Sequence, residues 1–150
     1  MRSPSARLTF TDAVTTWSDA MKTKQMGAID EMLSQEFTWD SVNNESSTSR
    51  KDTMEWIAST NFSIGNFTTI YNGEGVLCGT HSVFETGKNE TVVMCVIELN
   101  EERSKVKTWT ISRGNFYRNT RTIYSFVPLC DRICTDEAYA VVQKSAEREI

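Results

Sequence analysis

The chain is 150 residues long, the size of one ordinary domain and enough to enclose a hydrophobic core without staples. Sixteen Lys and Arg against 20 Asp and Glu leave a net charge of −4, which excludes a general attraction to nucleic acid or anionic lipid. Hydrophobic residues at 39% and charged residues at 24%, with seven Gly and two Pro, exclude the disordered and fibrous classes.

The stretch Met1–Phe10 has two arginines but no apolar run after them, so no export signal is read and a cytoplasmic location is expected. The longest strongly apolar run, Val92 to Ile97, is six residues, against the roughly 18 that a membrane span needs. Cys78, Cys95, Cys130 and Cys134 are too few and too scattered for a disulfide framework, so reduced thiols are expected. Cys78 and His81 are three apart in a strand-like segment, which sends them to opposite faces of a sheet and leaves poor zinc geometry. No metal and no cofactor are expected; Gly73-Glu74-Gly75 lacks the third glycine and the helix of a dinucleotide fingerprint.

The first element is a helix over about 10–24, because Phe10, Ala13, Val14, Trp17, Ala20 and Met21 share one face. Thr9 with Asp12 three residues on forms its capping box. A shorter helix carries Ile29, Met32 and Leu33 and begins at Gly27. Phe37 to Asp40 reads as a short strand, and Ser41 to Thr48 as a polar loop. Ser49 and Asp52 cap a third helix with a stripe of Met54, Ile57, Ala58 and Phe62, off which Trp56 lies. From there the period changes to two: 67–71, 76–85, 91–99 and 105–112 are strands joined by short polar turns, hence antiparallel hairpins. The strand over 91–99 is apolar on both parities from Val92 to Ile97, as a central strand covered on both faces should be. Beyond Arg118, 122–127 reads as a last strand and Thr135 to Glu137 as a helix start.

The order helix, helix, strand, helix, meander, with Ala13-Val14-Thr15-Thr16-Trp17, Ala28-Ile29-Asp30-Glu31-Met32-Leu33 and Phe37-Thr38-Trp39-Asp40 in it, resembles the nuclear-transport-factor-2-like superfamily. This is the group of SnoaL-like polyketide cyclases, ketosteroid isomerase, scytalone dehydratase and limonene epoxide hydrolase. The resemblance implies an α+β fold: a cone-shaped, curved antiparallel sheet wrapped around N-terminal helices, with a pocket at its wide end. One domain is expected over 1–150, with a core at about 8–113 and a C-terminal extension at about 114–150. The resemblance also implies a homodimer paired through the outer sheet face, with the extension adding to the contact.

Catalytic positions of the superfamily transfer only in part. The oxyanion-binding tyrosine of the isomerases falls at Trp17, their general base at Asp40, or Ser41 for an alignment one residue later, and their neutral carboxylic acid near Cys95. Scytalone dehydratase needs two histidines where this chain has one, and the strands from Val76 to Ser112 contain no aspartate for an epoxide-hydrolase triad. His81 is the one side chain with an ordinary pKa near neutrality. If it faces the cone, Asp40 and His81 form the candidate acid/base pair. Trp17, Trp39, Tyr71 and Trp109 are the candidate lining for a planar or hydrophobic small molecule; for each, a place in the core is the stronger reading on burial grounds. Arg113, Tyr117 and Arg118 near the end of the meander suit carboxylate recognition or plain surface placement. The functional expectation is small-molecule binding in the cone, with cofactor-free isomerase, cyclase or hydratase chemistry open to it. The alternative is a non-enzymatic ligand-binding or protein-association module.

Overall fold

A computed structural model describes residues 7–113. The elements, in chain order, are α1 (Phe10–Thr23), α2 (Gly27–Met32), β1 (Leu33–Ser41), β2 (Ser46–Ser49), α3 (Arg50–Ser59), β3 (Ser63–Asn72), β4 (Val76–Phe84), β5 (Thr91–Leu99) and β6 (Val106–Arg113). The expected strand and helix over 122–137 lie outside the described residues. No helix among the described residues is long and apolar enough to cross a membrane.

Local chemistry explains the helix ends. Asp12 N–H donates to Thr9 Oγ1 at 3.2 Å and Thr9 N–H donates to Asp12 Oδ2 at 3.1 Å, the reciprocal box read from the sequence. Phe10 N–H, another orphan donor of the first turn, is taken by Asn72 Oδ1 at 2.8 Å, which fixes α1 against the end of β3. Lys24 closes α1 in the left-handed region at φ 61°, and its Nζ donates to the carbonyls of Ile57 and Thr60 at 2.9 and 2.6 Å. An ammonium thus caps the C-terminus of α3, where the helix dipole favours a cation. Ser49 accepts from Asp52 N–H at the start of α3. The buried stripe of α3 is Thr53 and Ile57, with Met54 half-buried, while Ala58, expected on it, is exposed.

The six strands form one curved sheet in the order β2-β1-β6-β5-β4-β3. β3 to β6 make the expected antiparallel meander, whereas β1 joins β6 in parallel and β2 turns back on β1 as a hairpin. The sheet is therefore mixed, and part of the expected 41–48 loop is the edge strand β2. Ser46 to Ser49 carry no apolar signal, so only pairing with Ser41 to Thr38 makes them a strand.

Register assigns faces. Gly79 pairs with Cys95 and Cys95 with Ile111, a row on the concave side, and Ile97 with Trp109 and Trp109 with Trp39 form the next. These residues join Phe10, Val14, Trp17, Met21, Ile29, Phe37 and Ile57 in the main core. All three helices lie on this side, as expected. The other parity, Val76, Cys78, Met94 and Val96, forms a separate cluster on the convex side with Val42, Ile70 and Tyr71 packed against it. Cys78 and His81 face opposite sides, as their odd spacing requires. β5 is buried on both parities from Val93 to Ile97, which confirms it as the covered central strand.

Candidate functional site

The cone interior was the expected site, so its lining decides what chemistry is open. Trp17, from the buried face of α1, and Trp109, from the concave parity of β6, meet with ring centroids 4.5 Å apart and planes tilted by 48°. Phe37 of β1 stands 6.3 Å from Trp17. All three are at most 5% exposed. Phe10 lies against Gly79 so closely that a Cβ there would stand 2.2 Å from the ring. Trp39 packs half-buried on the edge of the same core. Trp17 and Trp109, expected to line a cavity, are thus packed in the core, because large rings at facing positions bury apolar area against one another.

Tyr71 is not among them. The β3–β4 pairing slips between Thr69 and Tyr71, so that Tyr71 lies opposite Cys78 rather than on the concave parity, and its ring joins the convex cluster. A bulge of this kind reverses every following side chain.

His81 does face inward. It pairs with Val93, a main-core residue, and Phe67 presents its ring edge-on at 6.5 Å. Its Nδ1–H donates to the Ser82 carbonyl at 3.3 Å. Burial pushes its pKa down to about 4, with the Arg113 charge adding to the fall and the Ser82 hydrogen bond opposing it. At neutral pH the imidazole is uncharged and a weak base. Arg113 pairs with Val93 and shares this row, with its side chain exposed at the mouth; Tyr117 and Arg118 lie outside the described residues.

Asp40 faces the other way. It pairs with Thr110, Thr110 with Val96 and Val96 with Cys78, a row on the convex side. Its Oδ1 accepts from Ser47 Oγ at 2.6 Å, stapling the β1–β2 hairpin. Asp40 and His81, expected from sequence as an acid/base pair, therefore lie on opposite faces of the sheet. The neighbour of Asp40, Ser41, does face the cone, 5% exposed and opposite Ile111, the alternative alignment read above. The signal was present in the sequence, since Phe37 and Trp39 inward put Asp40 outward by strand alternation.

Cys95, where the isomerases keep a neutral acid, is a free buried thiol. Burial pushes its pKa up to about 12, against a contribution from the Trp109 indole N–H in the opposite sense, so it carries no thiolate at neutral pH. Among the described residues no three His, Cys, Asp or Glu side chains converge as a metal site.

Among the described residues, open space is present beside α3. A groove of about 750 Å³ runs between α3 and the first half of β1, lined by Phe37, Thr38, Met54, Arg50, Asp30 and Glu36 among others. Arg50 crosses it to Asp30 at 2.6 Å. Its floor is apolar and its rim carries both signs of charge. Periodicity gave no hint of it, because its residues come from four elements that meet only in the fold.

No family profile and no curated protein matches the chain. Solved structures do. A nuclear-transport-factor-2-like protein of unknown function from Cytophaga hutchinsonii superposes with TM-score 0.58 at 13% identity, covering 79% of this chain and 97% of that one. A protein from Sphaerobacter thermophilus gives 0.59 at 7% identity, over 72% and 98%. A ketosteroid isomerase candidate from Kribbella flavida gives 0.56 at 10% identity, over 69% and 76%. With its helices inside a curved sheet and β1 set in parallel beside β6, this chain has the nuclear-transport-factor-2-like fold that its sequence resembles.

Proposed function

We propose that the chain is a non-enzymatic binding module of this fold, which takes small planar or hydrophobic molecules in the groove between α3 and β1. The observation that carries the reading is the packing of Trp17 against Trp109 and Phe37. These rings pack against one another where they were expected to face a guest. The separation of Asp40 and His81 by the sheet supports it, since proton transfer needs donor and acceptor within about 3 Å or one water of the same atom. The groove suits an amphipathic guest: the half-buried Met54 supplies apolar contact, and Arg50, Asp30 and Glu36 supply orientation. The buried Cys95 thiol and the sparse cysteines fit a reducing compartment, the cytoplasm.

The test is a ligand-observed NMR screen of the full chain with small planar and hydrophobic compounds. Hits are expected to survive His81→Gln and Asp40→Asn and to weaken about tenfold or more in Met54→Glu, roughly 1.4 kcal/mol of lost contact. Hits abolished by His81→Gln and untouched by Met54→Glu would overturn the groove. Turnover of any compound that disappears in His81→Gln or Asp40→Asn would restore the enzyme.

A further inference from the structure

The β1–β2 hairpin borders a second recess, of about 560 Å³, within the roughly 300–1,000 Å³ of small-molecule sites. One row of the register runs through it: Ser47 of β2 stands opposite Asp40 of β1, and Asp40 opposite Thr110 of β6. All three line the recess, with Val42 and Glu45 beside them. Val42 is half-buried and gives the recess an apolar side. Glu45 brings a second carboxylate through the turn after β1, in which its N–H donates to the Val42 carbonyl at 3.3 Å.

Two observations raise this recess above an acidic patch. Thr110 is 3% exposed, and its Oγ1 is buried with no hydrogen-bond partner. A buried hydroxyl left unpaired forfeits the bonds that water would give it, a cost that a donor entering the recess would offset. The second observation is charge. Asp40 Oδ1 accepts from Ser47 Oγ, but no Lys or Arg among the described residues pairs with Asp40 or Glu45.

We infer that the recess binds a small organic amine, whose ammonium donates to Asp40, Glu45 and Thr110 while its alkyl chain lies on Val42. An ammonium has donors and no acceptor, the complement of this set, and hydrogen bonds between ionised partners are the strong ones. An anion would meet two like charges. A metal ion matches less well, because no third acid, His or Cys completes the set among the described residues, and the volume is many times the roughly 30 Å³ of one water. The recess shares no lining residue with the groove beside α3, so the two readings stand or fall separately.

The experiment titrates the isotope-labelled full chain at neutral pH with butylamine, with butanol and with calcium chloride, and follows the backbone amide signals. Butylamine is expected to shift the signals of Asp40 to Ser47 and of Thr110, and butanol and calcium to leave them in place. Affinity is expected to fall about fivefold or more in Asp40→Asn, in Glu45→Gln and in Thr110→Val. Glu101→Gln removes the same charge from an exposed turn elsewhere and is expected to change nothing. Thr110→Val keeps the shape and deletes the unpaired hydroxyl, so its melting temperature should hold or rise while its amine affinity falls, a combination that a purely structural threonine would not give. An equal response to butanol, or affinity unchanged in both carboxylate variants or in Thr110→Val, would overturn the inference. Calcium reproducing the shifts while butylamine gives none would overturn it in favour of a metal ion.

Discussion

His81 is a buried base held neutral. Its folded pKa of about 4 lies below the ordinary 6.5, so between those values the unfolded chain binds a proton that the folded chain refuses. The stability this contributes is complete above about pH 6.5 and is lost as pH falls through 4, by roughly 3 kcal/mol at most. The chain has a single histidine, so its imidazole Cε1–H signal reports it without overlap. That signal is expected to stay at its neutral position from pH 8 to about 5, and titration near 6.5 would show an accessible ring. Urea midpoints of the wild type are expected to drop from pH 7 to 4.5 more than those of His81→Gln. At Gly79 the constraint is space. A methyl group would meet both the Phe10 ring and, at 2.5 Å, the Thr68 carbonyl oxygen, and backbone cannot swing aside as a side chain does. Gly79→Ala is expected to cost about 1–3 kcal/mol in chemical denaturation.

The elements hold through their ends. Thr9→Ala removes one partner of a two-way box and is expected to cost about 1 kcal/mol, and Ser49→Ala about as much or less, since no reciprocal bond from Asp52 accompanies it. Lys24 acts on two helices at once, ending α1 and donating to the last carbonyls of α3. Lys24→Met keeps the length and loses both bonds, and about 1–2 kcal/mol of destabilisation is expected by thermal or urea unfolding. The capping residues were legible because a cap is a local event over four residues. The edge strand β2 was not, because its serines and threonine become a strand only by pairing with β1.

For the whole molecule, the aromatic packing in the cone decides between a vessel and a scaffold. Trp17→Ala would empty the space between Trp109 and Phe37, with an expected cost of about 3–5 kcal/mol. If the wild-type interior is closed, that variant should bind a small aromatic such as indole in the vacated space and the wild type should not, an asymmetry that a thermal-shift titration reads directly. Equal binding by both proteins would place an open cavity in the native cone.

The sequence by itself determined the elements whose physics is local: the 3.6-residue stripe of α1, the caps at Thr9 and Ser49, the alternation of β3 to β6 and the double burial of β5. Each depends on neighbours within one turn or one hairpin, and each appears at or near its expected place. It also held, in the alternation from Phe37 and Trp39, the reason that Asp40 points away from the cone. Only the tertiary structure decided the rest. The parallel seating of β1 beside β6 brings residues about 70 apart into register, the slip in β3 turns Tyr71 to the convex face, and the closeness of Trp17 and Trp109 converts a predicted lining into a core. These outcomes depend on which surfaces meet across the fold, and no spacing along a single chain carries that information.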